Sequence, residues 1–148
     1  MSKKRYNKNN IKRMRKKLRD GQDLPPMNRK NRPMSDLEQM VADILDGLKV
    51  EYEREKPLKY INGYRYYDFC LFEYSILIEV DGEYWHAKRG KPSYTILMAK
   101  KNDYVKNWLA KKEGYSLIRI KESQLKEEHS LIGEIISEEI KKNLKKLS

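Results

Sequence analysis

Between residues 35 and 48 apolar side chains recur every three or four positions: Leu37, Met40, Val41, Ile44, Leu45 and Leu48. That spacing predicts an amphipathic helix, and Ser35 with Glu38 three residues on supplies a capping box at its start. The period then shortens to two. Val50 and Tyr52 open a strand that continues past Pro57 to Tyr60. Asn62-Gly63 is a strong hairpin signal, and a return strand follows from about Arg65 to Phe72. A third strand covers Ser75 to Asp81, with Ile76, Ile78 and Val80 facing away from Glu79 and Asp81. A polar stretch with Gly90 and Pro92 leads to a helix near Thr95–Glu113, whose apolar stripe is Val105, Trp108 and Leu109 and whose stop is Gly114. Tyr115 to Lys121 reads as a fourth strand. After Ser123 a last helix carries Leu131, Ile132, Ile135, Ile136, Ile140, Leu144 and Leu147. The order α-β-β-β-α-β-α predicts an α/β fold, a mixed sheet in which a three-stranded meander is joined through a crossover helix to a fourth strand.

Residues 1–34 do not fit that pattern. Ile11, Met14 and Leu18 recur at helical spacing among Lys12, Arg13, Arg15, Lys16, Lys17 and Arg19. A short basic helix on contact with a partner follows, though alone in water so short a helix is marginal. Asp20 to Met34 contains Gly21, Pro25, Pro26 and Pro33 and reads as an extended linker. The chain thus divides into a flexible basic arm, 1–34, and a body, 35–148.

Charge sharpens that division. The formal net charge is +11, from 33 Lys and Arg against 22 Asp and Glu. Of these, 13 basic residues and only Asp20 and Asp23 fall in 1–34, so the body carries 20 of each sign and is neutral. Clustered Lys and Arg gain free energy by releasing phosphate counterions, so the arm points to nucleic acid. A solubilising tail or a membrane-surface anchor are the alternatives. The single cysteine, Cys70, excludes an intramolecular disulfide and a Cys-based zinc site. No apolar run approaches the roughly 20 residues of a membrane span, and the N-terminus lacks a secretory apolar stretch. An intracellular, cytoplasmic protein without a membrane partner is expected.

The chemistry gathers on the second and third strands. Asp68 is expected to point away from its neighbours Tyr67 and Phe69, while Glu79 and Asp81 share one face. An antiparallel pairing through a turn near Glu73-Tyr74 puts Asp68 opposite Glu79, with Cβ atoms about 4.5–5.5 Å apart. Carboxylates so close resist ionising together unless a cation neutralises them. Hard oxygen ligands favour Mg2+ or Mn2+ over zinc. The alternative is an exposed strand face with scattered acids. Against it, Glu79 and Asp81 end an otherwise apolar strand, where an unpaired acid is costly.

The run Tyr67-Asp68-Phe69, then Ile78-Glu79-Val80-Asp81-Gly82, then Tyr84-Trp85-His86 resembles the PD-(D/E)xK nuclease superfamily. Within it, the branch of very-short-patch-repair endonucleases and EDxHD homing endonucleases is the most similar, with Glu38, Asp68, His86 and Asp103 in the order that names the latter. The resemblance spans about residues 35–122 and implies a restriction-endonuclease-like αβββαβ core, followed here by a C-terminal helix. It implies that Asp68 is the principal metal ligand, with Glu79 and the Val80 carbonyl near the same ion. It places His86 as a proton-handling or water-orienting group, Glu38 as a supporting helix acid, and Asp103 as a late acid on the crossover helix. Each has a plainer reading: Glu38 as a capping-box residue, His86 as packing beside aromatics, Asp103 as a salt-bridge partner on a lysine-rich helix.

Two departures stand out. Asp81 occupies the position where many relatives have the motif lysine, so the cation must come from elsewhere, with His86, Lys88 and Lys106 as candidates. The zinc-binding cysteine and histidine set of the patch-repair enzymes is absent. The resemblance therefore implies a divalent-metal-dependent endonuclease acting on DNA, most simply duplex DNA, of homing or repair type, and it raises a phage origin. The competing expectation is a non-catalytic nucleic-acid-binding or assembly protein that keeps the nuclease fold. Oligomeric state is left open.

Overall fold

The structure is a computed structural model, and it describes residues 12–13, 25–61, 63–82 and 93–147. Helix α1 (Asp36–Gly47) starts where the capping signal stands: the Ser35 hydroxyl accepts the Glu38 N–H, and it donates to the Glu38 carboxylate, both at 3.2 Å. Four further elements follow as β1 (Glu53–Tyr60), β2 (Gly63–Leu71), β3 (Ile76–Asp81) and helix α2 (Ser93–Lys112). Strand β4 (Ser116–Lys121) precedes helices α3 (Glu122–Glu127) and α4 (His129–Leu147). The sheet order is β1-β2-β3-β4, antiparallel across its first two pairs and parallel between β3 and β4. The expected mixed α/β sheet is therefore present. Pro57 is tolerated in β1 because that strand is an edge.

Two local expectations change. Tyr60 lies opposite Gly63, so the hairpin turns on residues 61 and 62 and not on Asn62-Gly63. Ile61 has φ 49°, the positive value that a two-residue turn matched to the strand twist requires; Asn62 lies outside the described residues. The last helix is two helices, separated at Glu128 (φ −133°, ψ 44°). Leu125 of α3 is buried against the same core as Ile132 and Ile136 of α4, and one straight helix would carry it away.

Helices cover both sheet faces. On one, Val41 and Leu45 of α1 and Ile132 and Ile136 of α4 pack on Phe69, Leu71, Ile76, Ile78 and Ile120. On the other, Leu109 and Ala110 of α2 pack on Leu58, Tyr67, Cys70 and Leu77. Trp108, expected in the apolar stripe of α2, is 47% exposed and meets Tyr60 edge-on at 6.3 Å, so Ala110 takes its place inward. Among the described residues no helix is long and apolar enough to cross a membrane.

The two cores reveal a break in β2. Tyr67 and Phe69 are two residues apart and by the pleat should share a face. They lie instead in cores on opposite sides of the sheet. The ladder of β1 with β2 keeps one register throughout, but the pair Glu55–Asp68 is missing from it, and Glu55 has φ 51°. A non-glycine residue there is strained by about 1–3 kcal/mol. The expectation that Asp68 simply points away from both neighbours is thus corrected: the strand turns over at Asp68, beside a strained glutamate.

Candidate active site

Pairing of β2 with β3 runs from Leu71–Ile76 to Phe69–Ile78. The next pair in that register is Asp68 with Glu79, and there side chains replace the backbone ladder. A Glu79 carboxylate oxygen accepts the Asp68 N–H at 3.0 Å, and Asp68 Oδ2 accepts the Val80 N–H at 2.7 Å. The two acids therefore lock each other's strands. The sequence register had placed them opposite, and the interlock follows from that placement plus the turned-over backbone.

Burial raises the Asp68 pKa to about 7, and the neighbouring Glu79 adds to the rise, against the Val80 N–H and Lys106, which lower it. Glu79 is also raised, by burial first, although Lys106 and the Asp68 N–H oppose this. The Lys106 ammonium stands 2.8 Å from Glu79 Oε2, with both side chains largely buried. The Tyr67 hydroxyl donates to the Lys106 carbonyl at 2.8 Å, fixing that turn of α2 over the sheet. Of the three cation candidates, Lys106 meets the acids; His86 and Lys88 lie outside the described residues.

A carboxyl whose folded pKa exceeds its unfolded value holds its proton longer when folded, so stability falls as pH rises between the two. In EDTA the protein is expected to lose stability from about pH 4 towards the folded Asp68 value of about 7, then level off for this group. Thermal melts across that range check it. A melting temperature that rises steadily through the window would show that the acid pair is not held as described.

The other sequence candidates form two flanking groups. Arg119 of β4 reaches Asp81 and Asp103, each at 3.5 Å, and donates to the Asp103 carbonyl at 3.2 Å. Asp81 and Asp103 are thus joined through one guanidinium. On the opposite flank Glu38 meets Arg54 at 3.7 Å. Glu38, Glu55 and Asp68 each bring a carboxylate oxygen within 4.8 Å of the others. An open cleft of about 250 Å³ lies above Asp68, walled by Arg29, Arg32, Arg65 and Lys106 among others. Lys12 and Arg13 are exposed, and Arg15, Lys16, Lys17 and Arg19 lie outside the described residues.

The donor set suits a hard divalent cation. Asp68 makes no ion pair among the described residues, and Oδ2 alone is taken by Val80, which leaves Oδ1. Glu38 and Glu55 offer further carboxylate oxygens beside it. Oxygen donors of this kind favour hard divalent cations over soft ones. In this arrangement both Glu79 oxygens are already engaged, one by Asp68 N–H and the other by Lys106.

Glu55, Arg119, Arg29 and Arg32 were not singled out from the sequence. Arg119 could have been: it is the one charge inside the strand Ser116–Lys121, and a parallel crossover places it beside Glu79. Glu55 carried no signal, because its role depends on a positive φ that β1's composition does not announce.

No protein-family model matches the chain. No curated protein matches it either. Among solved structures, the catalytic domain of the homing endonuclease I-Bth0305I is similar, with a TM-score of 0.54 over 74% of this chain and 98% of that one. The two sequences are 21% identical, so the likeness establishes the fold.

Proposed function

We propose that the chain is a divalent-metal-dependent endonuclease that hydrolyses DNA phosphodiester bonds. The observation that carries this reading is the interlocked pair Asp68 and Glu79 with Lys106 against it, Asp68 and Lys106 lining an arginine-walled cleft. An interlocked, buried acid pair is expensive to keep in a protein that only binds phosphates, since bare carboxylates repel them. The fold shared with a homing endonuclease catalytic domain supports the same reading.

In this proposal Asp68 and the nearby Glu38 would hold Mg2+ or Mn2+, with Glu79 and the Val80 carbonyl near the ion as the resemblance implies. Such an ion supplies Lewis-acid polarisation of the phosphate and a bound water of lowered pKa. Lys106 takes the part of the motif lysine that Asp81 displaces, offering an ammonium to developing phosphate charge. Arg119, held between Asp81 and Asp103, offsets part of their negative charge beside the acid pair. His86 handles a proton, the role that the resemblance gives it. The arm adds phosphate contacts that supply affinity but little sequence information.

Supercoiled plasmid incubated with the full chain is expected to become nicked or linear with Mg2+ or Mn2+ and to stay intact in EDTA. Metal-independent cleavage would refute the mechanism. Salt-sensitive binding with no cleavage in any metal would favour a DNA-binding module that retains the fold.

A further inference from the structure

The segment just before α1 is strapped onto the β1–β2 hairpin by contacts of several kinds. Arg29 Nε meets the buried Glu55 carboxylate at 3.3 Å, and Arg32 approaches its other oxygen at 4.0 Å. The Arg29 guanidinium also lies over the Tyr66 ring, 4.3 Å from its centroid, while the Tyr66 hydroxyl accepts the Met27 N–H at 2.8 Å. From below, Arg54 donates to the Lys30 and Arg32 carbonyls at 3.4 and 2.8 Å and pairs with Glu38. Glu55 holds its strained φ of 51° while it faces these arginines. So many fixed contacts on two arginines are more than a passing linker needs.

Their effect on the cleft is electrical. Arg29, Arg32, Arg65 and Lys106 line it against Glu38, Glu55 and Asp68. Four cations thus face three carboxylates. Without Arg29 and Arg32 only Arg65 and Lys106 would remain, and Lys106 is already paired with Glu79, so the cleft would attract a phosphate more weakly. Arg29 commits Nε to Glu55, but a guanidinium carries five N–H donors in a fork that fits phosphate oxygens. The Arg32 side chain is 58% exposed and open to a ligand.

We propose that Arg29 and Arg32, positioned by Glu55, Arg54 and Tyr66, form a phosphate-binding wall of the cleft that grips a nucleic-acid backbone phosphate neighbouring the one cut. This rests on the nuclease reading for the word "cut", but the binding itself does not. The segment 29–32 is then part of the active-site cleft.

The test measures binding of a fluorescein-labelled duplex DNA to the full chain in EDTA at several salt concentrations. Two variants are compared with the parent, Arg32→Gln and the pair Arg29→Gln with Glu55→Gln, which leaves no uncompensated buried carboxylate. Each is expected to melt like the parent, bind about tenfold more weakly, and lower the salt slope by about 0.9, the loss of one phosphate contact. Arg32→Lys is expected to keep the slope. In cleavage assays Arg32→Gln is expected to raise KM more than it lowers kcat. Variants that melt normally and retain the parental slope overturn the proposal. If the parent cleaves and the slopes do not move, this wall alone is wrong. If the parent does not cleave but the slopes fall, the nuclease reading is wrong and the wall stands.

Discussion

Asp68→Asn is expected to lower metal-dependent cleavage by about a thousandfold or more while raising the stability of the metal-free protein above pH 7. Both effects come from one carboxylate. Asparagine keeps an oxygen that can accept the Val80 N–H, so the interlock of β2 with β3 survives. It removes the negative charge on which the proposed ion depends, and a metal's contribution of several kcal/mol is about three powers of ten in rate. The same charge is a burden to the metal-free fold, because burial and Glu79 hold the Asp68 pKa up near 7. Above that pH the ionised group costs on the order of 2–4 kcal/mol relative to the unfolded chain, and asparagine does not. Plasmid cleavage in Mg2+ and thermal melts in EDTA at pH 8 read the two sides. A variant that cleaves at the parental rate would remove Asp68 from the chemistry. One that loses both activity and stability would make it a structural residue.

Lys106→Met is expected to be damaging in a different way. It leaves the Glu79 carboxyl buried and without its 2.8 Å partner. Breaking a buried pair from one side costs about 3–5 kcal/mol. Cleavage should fall by about a hundredfold, the scale of losing one preorganised group that stabilises developing charge. Adding Glu79→Gln should recover most of the stability, since the unpartnered carboxyl is gone, but none of the cleavage. Denaturant unfolding beside single-turnover cleavage separates these effects. If the double variant recovers activity with stability, Lys106 acts only as a counter-ion and the missing motif lysine must be sought elsewhere.

The parts of this molecule that were legible in its sequence are those set by local periodicity. Helix α1 with its Ser35 cap, the meander, the crossover helix and β4 follow from spacing, and the pairing of Asp68 with Glu79 follows from the short β2–β3 turn. Lys106 could be nominated but not chosen, because only the packing of α2 on Tyr67 and Leu77 decides which lysine of that helix reaches the acids. Tyr67 and Phe69 show where alternation fails: their inversion depends on the backbone of Glu55, across the ladder. The cleft wall was hidden for a related reason. Arg29 and Arg32 sit in a proline-rich stretch whose composition reads as linker, and their contacts are with residues more than twenty positions away.

The parallel register of β3 and β4 sets Ile76 beside Ser116, forty residues on. The hairpin β1–β2 and its extension to β3 close through short turns, whereas this pair must wait for a long loop to close and for α2 to dock. Glu79 meets Lys106, and Asp81 meets Arg119, only across that late junction. Loop-closure entropy therefore favours assembling the acids before their cations, and refolding is expected to be slowest under conditions that keep those carboxylates charged.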